Sequence, residues 1–413
     1  MCRAKIDRPK LEPRFSEGLG LAHIIKQFGK AFRARGGVCK HHLRTLRAIE
    51  VCRTSELGGH MRCCRSCGSL KIRYNSCRNR HCPKCGGLER ECWIRARENE
   101  LLPVRYQHLV FTLPAELHPF CRYHSGLCYD LLFKAAWQTL DIFGRDPKWL
   151  GARLGATMVL HTWGQNLMLH PHIHCILPSG GLGKNGDWIS AKKSGRSGFL
   201  FPVKAMSKVF RAIYLRAFMQ AWRSGKLVIP PAAPTKEKDI QKWRRNLHRK
   251  DWIVFAKAPF GSPKSVVEYL GRYTHKTAIS NHRLIKIESN RVFFRYKDYR
   301  DGAKQKVMSL DGLEFLRRFC LHILPSGFRR MRHYGVLSNF HKTKALAAAR
   351  KSLSVKHPES KPTKLELKKR IIEDWLARPL TDCPDCGAND SLIRILLPPN
   401  SRAPPPGELI VVT

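Results

Sequence analysis

Acidic residues are scarce in this chain. Its 413 residues carry 31 Asp and Glu against 76 Lys and Arg, a formal charge of +45. Such a surplus repels itself unless a polyanion neutralises it, and the obvious polyanion is nucleic acid. Long apolar runs are missing too. No 18-residue apolar span and no lipidation signature occurs, which argues against a membrane partner. The start, Met1-Cys2-Arg3-Ala4-Lys5, lacks a signal-peptide core, so the expectation is a cytoplasmic protein. There is no internal repeat and no heptad pattern, which excludes solenoids and coiled coils. No G-x-x-x-x-G-K-[ST] motif is present, so the chain brings no phosphate loop of its own. What is present suffices for folding: 43% of residues are hydrophobic, and the length predicts two or three domains.

Cysteine is plentiful and unevenly spread, with ten of the sixteen before residue 93. A reducing compartment disfavours disulfides, so clustering points to metal ligation. The ordered candidates are Cys52, His60, Cys64, Cys67, Cys77, His81, Cys82 and Cys85. The pairs Cys64/Cys67 and Cys82/Cys85 have the C-x-x-C spacing that turns two thiolates onto one tetrahedral zinc. The other four would complete a second site with open pairing, and Cys63 competes with Cys64. Arginines crowd the region, Arg78 and Arg80 among them, as suits a metal-fixed DNA-binding scaffold. No βαβ pattern surrounds either C-x-x-C, which disfavours a redox role.

Periodicity predicts helices over the first 50 residues, then a metal-held segment at 52–92. A strand at Tyr106–Pro114, a helix through Leu131–Leu140 and strands near Thr157–Thr162 and His172–Leu177 follow. An amphipathic helix fits 203–223, a basic segment 236–250, a strand Trp252–Ala256 and a β-ribbon 285–309. A helix holds Phe315 to Phe319. From 341 the chain reads as a basic helix pair, a Cys-Pro-Asp-Cys motif and a Pro-rich end. The expected boundaries are 1–100, 101–340 and 341–413.

Within the second unit, His170-Pro171-His172-Ile173-His174-Cys175-Ile176 reads as a strand. Strand side chains alternate, so His172 and His174 share a face and can form two corners of a divalent-metal site. Further on, Tyr269 and Tyr273 stand four apart on a helix and so share its face. Lys264, Arg272 and Lys276 beside them favour a phosphate-facing surface. A tyrosine hydroxyl near a divalent metal can attack a DNA phosphodiester.

This combination resembles the two-tyrosine HUH transposases of rolling-circle insertion sequences, U being a bulky hydrophobic residue. The resemblance runs through Leu57-Gly58-Gly59-His60, the stretch Asn75 to Cys85, His161-Thr162-Trp163-Gly164-Gln165-Asn166, the histidine strand, Tyr269-Leu270-Gly271-Arg272-Tyr273-Thr274-His275 and Leu324-Pro325-Ser326-Gly327-Phe328. It implies an α/β (α+β) HUH endonuclease domain with a central antiparallel sheet, preceded by a small zinc-bound domain. His172 and His174 would bind Mg²⁺ or Mn²⁺. Tyr269 and Tyr273 would be the nucleophiles, forming 5′-phosphotyrosine links with single-stranded DNA at the element's ends. Relatives use a third polar ligand of variable position. Gln165, His161 and His170 all stand open, with Gln165 carried as the ligand because it lies near the motif. His108 reads as structural. The implied partners are single- and double-stranded DNA at element ends and targets, in the bacterial nucleoid. Host replication or helicase functions would supply unwinding.

Two rival readings remain. A rolling-circle replication initiator shares the histidines and tyrosine but not the zinc module. A non-catalytic zinc-dependent DNA-binding regulator explains charge and cysteines alone. In the tail, Cys383-Pro384-Asp385-Cys386 is half a zinc site with no obvious second pair, and a remnant is favoured over one that borrows distant ligands. The end from Pro398 reads as disordered or as the product of an altered reading frame.

Overall fold

The computed structural model describes residues 18–191, 200–257, 260, 265–266, 269, 271, 276–356, 362–389 and 392–400. Its helices are α1 (Leu21–Ala34), α2 (Lys40–Glu50), α3 (Gly87–Glu98), α4 (His118–Tyr123), α5 (Ser125–Arg145), α6 (Val203–Arg223), α7 (Glu237–Arg249), α8 (Gly312–Cys320), α9 (Lys342–Ser352) and α10 (Lys364–Leu376). The strands are β1 (Gly59–Cys64), β2 (Leu70–Tyr74), β3 (Tyr106–Thr112), β4 (Gly155–Trp163), β5 (Leu169–Pro178), β6 (Gly180–Leu182), β7 (Trp188–Ser190), β8 (Val254–Lys257), β9 (Leu284–Glu288), β10 (Arg291–Asp298), β11 (Lys304–Asp311), β12 (Met331–Gly335) and β13 (Leu392–Leu397).

A five-stranded antiparallel sheet, ordered β12-β4-β5-β3-β8, lies at the centre, as expected. Its strands are apolar on alternate residues, which buries one face. Leu109, Phe111, Leu160, Ile173, Cys175 and Leu177 all pack into the main core beneath α5 and α6. The helix α6 presents Met206, Phe210, Tyr214 and Phe218 to that core at helical spacing. Phe111 meets Phe210 edge-on at 5.0 Å. One face of β5 is thereby locked in place, and the opposite face, bearing His172 and His174, is fixed with it.

A second core joins the chain's start to a distant segment. Leu21, Ile24, Ile25, Phe28 and Phe32 of α1 pack with Val292, Phe294, Phe315 and Phe319. The expected ribbon at 285–309 is a three-stranded sheet, β11-β10-β9. A turn at Ser289 and Asn290, both left-handed, adds the extra strand. A third sheet, β13-β1-β2, brings the C-terminal strand onto the cysteine-rich segment. The helix α10 leans on α3 through Arg95–Asp374 at 2.8 Å and Lys364–Glu89 at 3.3 Å. Of the described tail residues, α10 and β13 thus pack on the first unit, while α9 packs with Leu102, Leu182 and Val336. The expectation of disorder beyond Pro398 falls largely on 401–413, outside the described residues.

Candidate functional site

Strand register assembles the histidines. His161 on β4 stands directly opposite His172 on β5, and cross-strand partners share a face. His174 is two residues on, so three imidazoles converge. One ligand nitrogen from each of His161, His172 and His174 lies within 4.8 Å of the others. Burial, reinforced by His170, lowers the His172 pKa to about 3, and burial and His172 lower that of His174. These two are therefore neutral at pH 7, the form in which an imidazole offers a lone pair to a metal. The three-nitrogen donor set suits a first-row transition ion such as Mn²⁺ better than Mg²⁺, which prefers oxygen.

Hydrogen bonds orient two of these rings. The Nδ1 of His172 bonds the backbone oxygen of His170 at 2.7 Å, and Nδ1 of His174 meets Nε2 of His108 at 2.9 Å. His108 in turn faces Tyr269, whose hydroxyl lies 3.3 Å from its Nδ1. The tyrosine ring packs on Phe260 at 5.1 Å, and Lys257 sits 5.2 Å above it. Ser265, Val266, Tyr269 and Gly271 are helical. Gly271 rests against Ile94 of α3 so closely that a Cβ there would come within 2.2 Å of the isoleucine.

A cavity of about 610 Å³ opens over the imidazoles. Thr112, Gln165, Lys276, Tyr296, Tyr299 and Arg300 are among its walls. Burial, then Arg283, lowers the Lys276 pKa. Arg330, beside the cluster, has its pKa lowered to about 9 by desolvation of its guanidinium and stacks 4.9 Å over Trp163.

The cysteines fall into two sets of four: Cys52, Cys77, Cys82 and Cys85, and Cys64, Cys67, Cys383 and Cys386. In the first set the Sγ of Cys85 is 3.5 Å from that of Cys52 and 3.7 Å from that of Cys77.

Comparison with known proteins matches this architecture. Residues 24–113 fit the family model described as "Transposase zinc-binding domain", and residues 155–345 fit one described as "Putative transposase". The chain is 42% identical to "Putative transposase y4qJ" of Sinorhizobium fredii over 374 residues, 89% of this chain and 93% of that protein. The chain belongs to the IS91/IS801 transposase family. It is also 31% identical to "Transposase for insertion sequence element IS801" of Pseudomonas savastanoi pv. phaseolicola over 347 residues, covering 82% of this chain and 78% of that one. No solved structure matches.

In this transposase the zinc-binding domain and the cysteine sets together support structural zinc. Two of the eight expected ligands stand apart from both sets. His60 lies on β1 opposite Arg73 and Leu396, where burial, then Arg394, Arg62 and Arg73, lowers its pKa. His81 receives Nε–H of Arg80 at 3.3 Å, and burial and Arg80 bring its pKa to about 3. Cys383 and Cys386 lie instead beside Cys64 and Cys67, so the C-terminal motif has a second pair within reach at the end of the β1–β13 ladder.

Gln165 lines the cavity over the imidazoles. It follows the end of β4, and its carbonyl accepts from Arg283. The ring of His170 lies 5.0 Å from that of His172 and 6.4 Å from that of His118, and it is not among the three imidazoles whose ligand nitrogens converge. Arg80 donates to the carbonyl oxygens of Phe328 at 2.6 Å and Pro325 at 2.9 Å, binding the Leu324–Phe328 loop. Arg78 is exposed, as a DNA contact requires. Tyr273, Lys264 and Arg272 lie outside the described residues. His161 had been one of three open candidates for the third ligand, His108 had read as structural, and Arg330 had not been singled out. Among the described residues no helix is long and apolar enough to cross a membrane.

Proposed function

We propose that this transposase nicks single-stranded DNA at the ends of its mobile element by tyrosine attack, with 5′-phosphotyrosine intermediates and rolling-circle strand transfer. The observation that carries the reading is the side-chain chain Tyr269–His108–His174, which links the tyrosine hydroxyl to the imidazole cluster. His161, His172 and His174 would hold Mn²⁺ or Mg²⁺. When bound, such an ion polarises the non-bridging oxygens of the scissile phosphate and stabilises charge developing there.

Ligand duty fixes the tautomers. If His174 presents Nε2 to the ion, its Nδ1–H donates to Nε2 of His108. The proton of His108 then lies on Nδ1 and is donated to the Tyr269 hydroxyl oxygen. A phenolate is the better acceptor of that bond, so the arrangement favours the nucleophilic form. Attack on phosphorus forms the tyrosine–phosphate bond and breaks the bond to the 3′ oxygen. The phenol proton passes to solvent, and the departing oxygen becomes a 3′-OH. That hydroxyl can prime host synthesis. Tyr273, one turn further, would hold a second DNA end.

Lys276, Arg283 and Arg330 supply positive charge beside the site for the phosphate backbone. Tyr299 and Tyr296 offer ring faces on which unpaired bases can stack. Unwinding would come from host replication or helicase functions at the nucleoid, and double-stranded ends and targets would be engaged by exposed basic residues such as Arg78. The test is to incubate the protein with Mn²⁺ and single-stranded DNA of the element's ends. A covalent adduct is expected, absent from His172→Ala and from Tyr269→Phe/Tyr273→Phe. A protein that binds this DNA without cutting it would be a regulator, and the proposal would fall.

A further inference from the structure

Neither matched family region extends to Cys383 or Cys386. We propose that Cys64, Cys67, Cys383 and Cys386 bind a second structural zinc ion, which fastens the C-terminal segment onto the N-terminal module. The site is split across the chain, with 316 residues separating Cys67 from Cys383.

Three independent features support it. The first is distance. Zinc–thiolate bonds of about 2.3 Å in a tetrahedron place sulfurs about 3.8 Å apart. The Sγ of Cys64 is 3.7 Å from that of Cys386, and the Sγ of Cys67 is 3.8 Å from that of Cys383. The second is backbone geometry, which repeats in the two halves. Gly68 N–H donates to Cys64 O at 2.9 Å, and Gly387 N–H to Cys383 O at 3.0 Å. Cys64 N–H donates to Ser69 O, and Cys383 N–H to Ala388 O, each at 3.0 Å. Both glycines are left-handed, with φ of 68° and 74°. Each half is thus a C-x-x-C-G turn whose last residue needs positive φ, the loop that aims two thiolates at one point.

The third feature is what surrounds the cluster. Asp385, inside the second turn, bonds Lys71 and Ser69 beside the first. The β1–β13 ladder then pairs Cys64 with Leu392 through Gly59 with Leu397. The metal would therefore sit at the open end of a formed sheet and close it. Through α10 the same tail leans on α3, and α3 seats the tyrosine helix at Ile94.

The experiment counts thiolate-bound zinc in the full chain. A mercurial reagent releases zinc held by cysteine but not by histidine alone, and a chromogenic chelator reads it. The wild type should release two equivalents, and Cys383→Ser/Cys386→Ser one. One equivalent from the wild type, or two from the variant, overturns the proposal. Cobalt titration of metal-stripped wild type needs no variant: the sulfur-to-cobalt charge-transfer band should rise to an endpoint at two equivalents. An endpoint at one equivalent overturns it as well. This count is independent of DNA cleavage, so it stands or falls apart from the nicking reaction.

Discussion

Replacing Gly271 with Ala places a methyl group 2.2 Å from Cδ1 and 2.7 Å from Cγ1 of Ile94. Carbon atoms rest about 3.5–4.0 Å apart. Rotating χ2 of the isoleucine can remove the first clash but not the second, because Cγ1 is set by χ1. In a helix that torsion has one strongly preferred value for isoleucine. The tyrosine helix must therefore back away from α3 by roughly 1 Å. Misplacing a reacting group by that much costs on the order of 100-fold in rate, about 2.7 kcal/mol of barrier. Alanine is the better helix former by about 1 kcal/mol, so lost helicity cannot explain a slowdown. The assay is the single-turnover rate of adduct formation with single-stranded DNA and Mn²⁺, with DNA affinity as the control. Gly271→Ala should be slow at unchanged affinity, and adding Ile94→Ala should restore most of the rate by removing both clashing atoms. A folded Gly271→Ala protein cutting at the wild-type rate would refute the reasoning, as would a double variant with no recovery.

Other consequences follow from the same geometry. His161→Ala should weaken Mn²⁺ binding and cleavage by about 100-fold or more while sparing DNA binding, since even orienting partners of ligands are worth 10–100-fold. Gln165→Ala should change either by only a few-fold, and calorimetric titration with Mn²⁺ decides between them. Tyr299→Ala should weaken single-stranded DNA binding by about 1–3 kcal/mol if its exposed ring stacks on a base, as read by fluorescence anisotropy. His322 is buried, and burial lowers its pKa from 6.5 to about 4. The unfolded chain takes up that proton first as pH falls, so His322 removes stability between pH 6.5 and 4. Between pH 7 and 5 the wild type should lose about 2 kcal/mol more than His322→Gln in urea unfolding, and parallel curves would contradict the assignment.

The alternation in His172-Ile173-His174 was enough to put both histidines on one face, because strand parity is a local property. The third imidazole was not legible in this way. That His161 joins them depends on the β4–β5 register, which pairs His161 with His172, and no spacing within one segment encodes it. The cysteines follow the same rule. The C-x-x-C turns could be read directly, but the sets interleave: Cys64 and Cys67 lie between Cys52 and Cys77 yet pair with a turn at the far end of the chain. His60 and His81 had ligand-like spacing, yet neither falls within the two groups of four thiols. The helices α5 and α6 and the central strands were legible because each buries one side of a periodic pattern. The packing of α1 against β10 and α8 was not, since that core joins segments almost 300 residues apart.

The central claim is that tyrosine oxygen carries the cut DNA. The most direct measurement is to trap the adduct formed with Mn²⁺ and single-stranded element-end DNA, digest it with protease and nuclease, and map the modified residue by mass spectrometry. The expected product is a nucleotide joined through its 5′ phosphate to Tyr269 or Tyr273. A nucleotide on any other residue, or cleaved DNA with no protein attached, would contradict it.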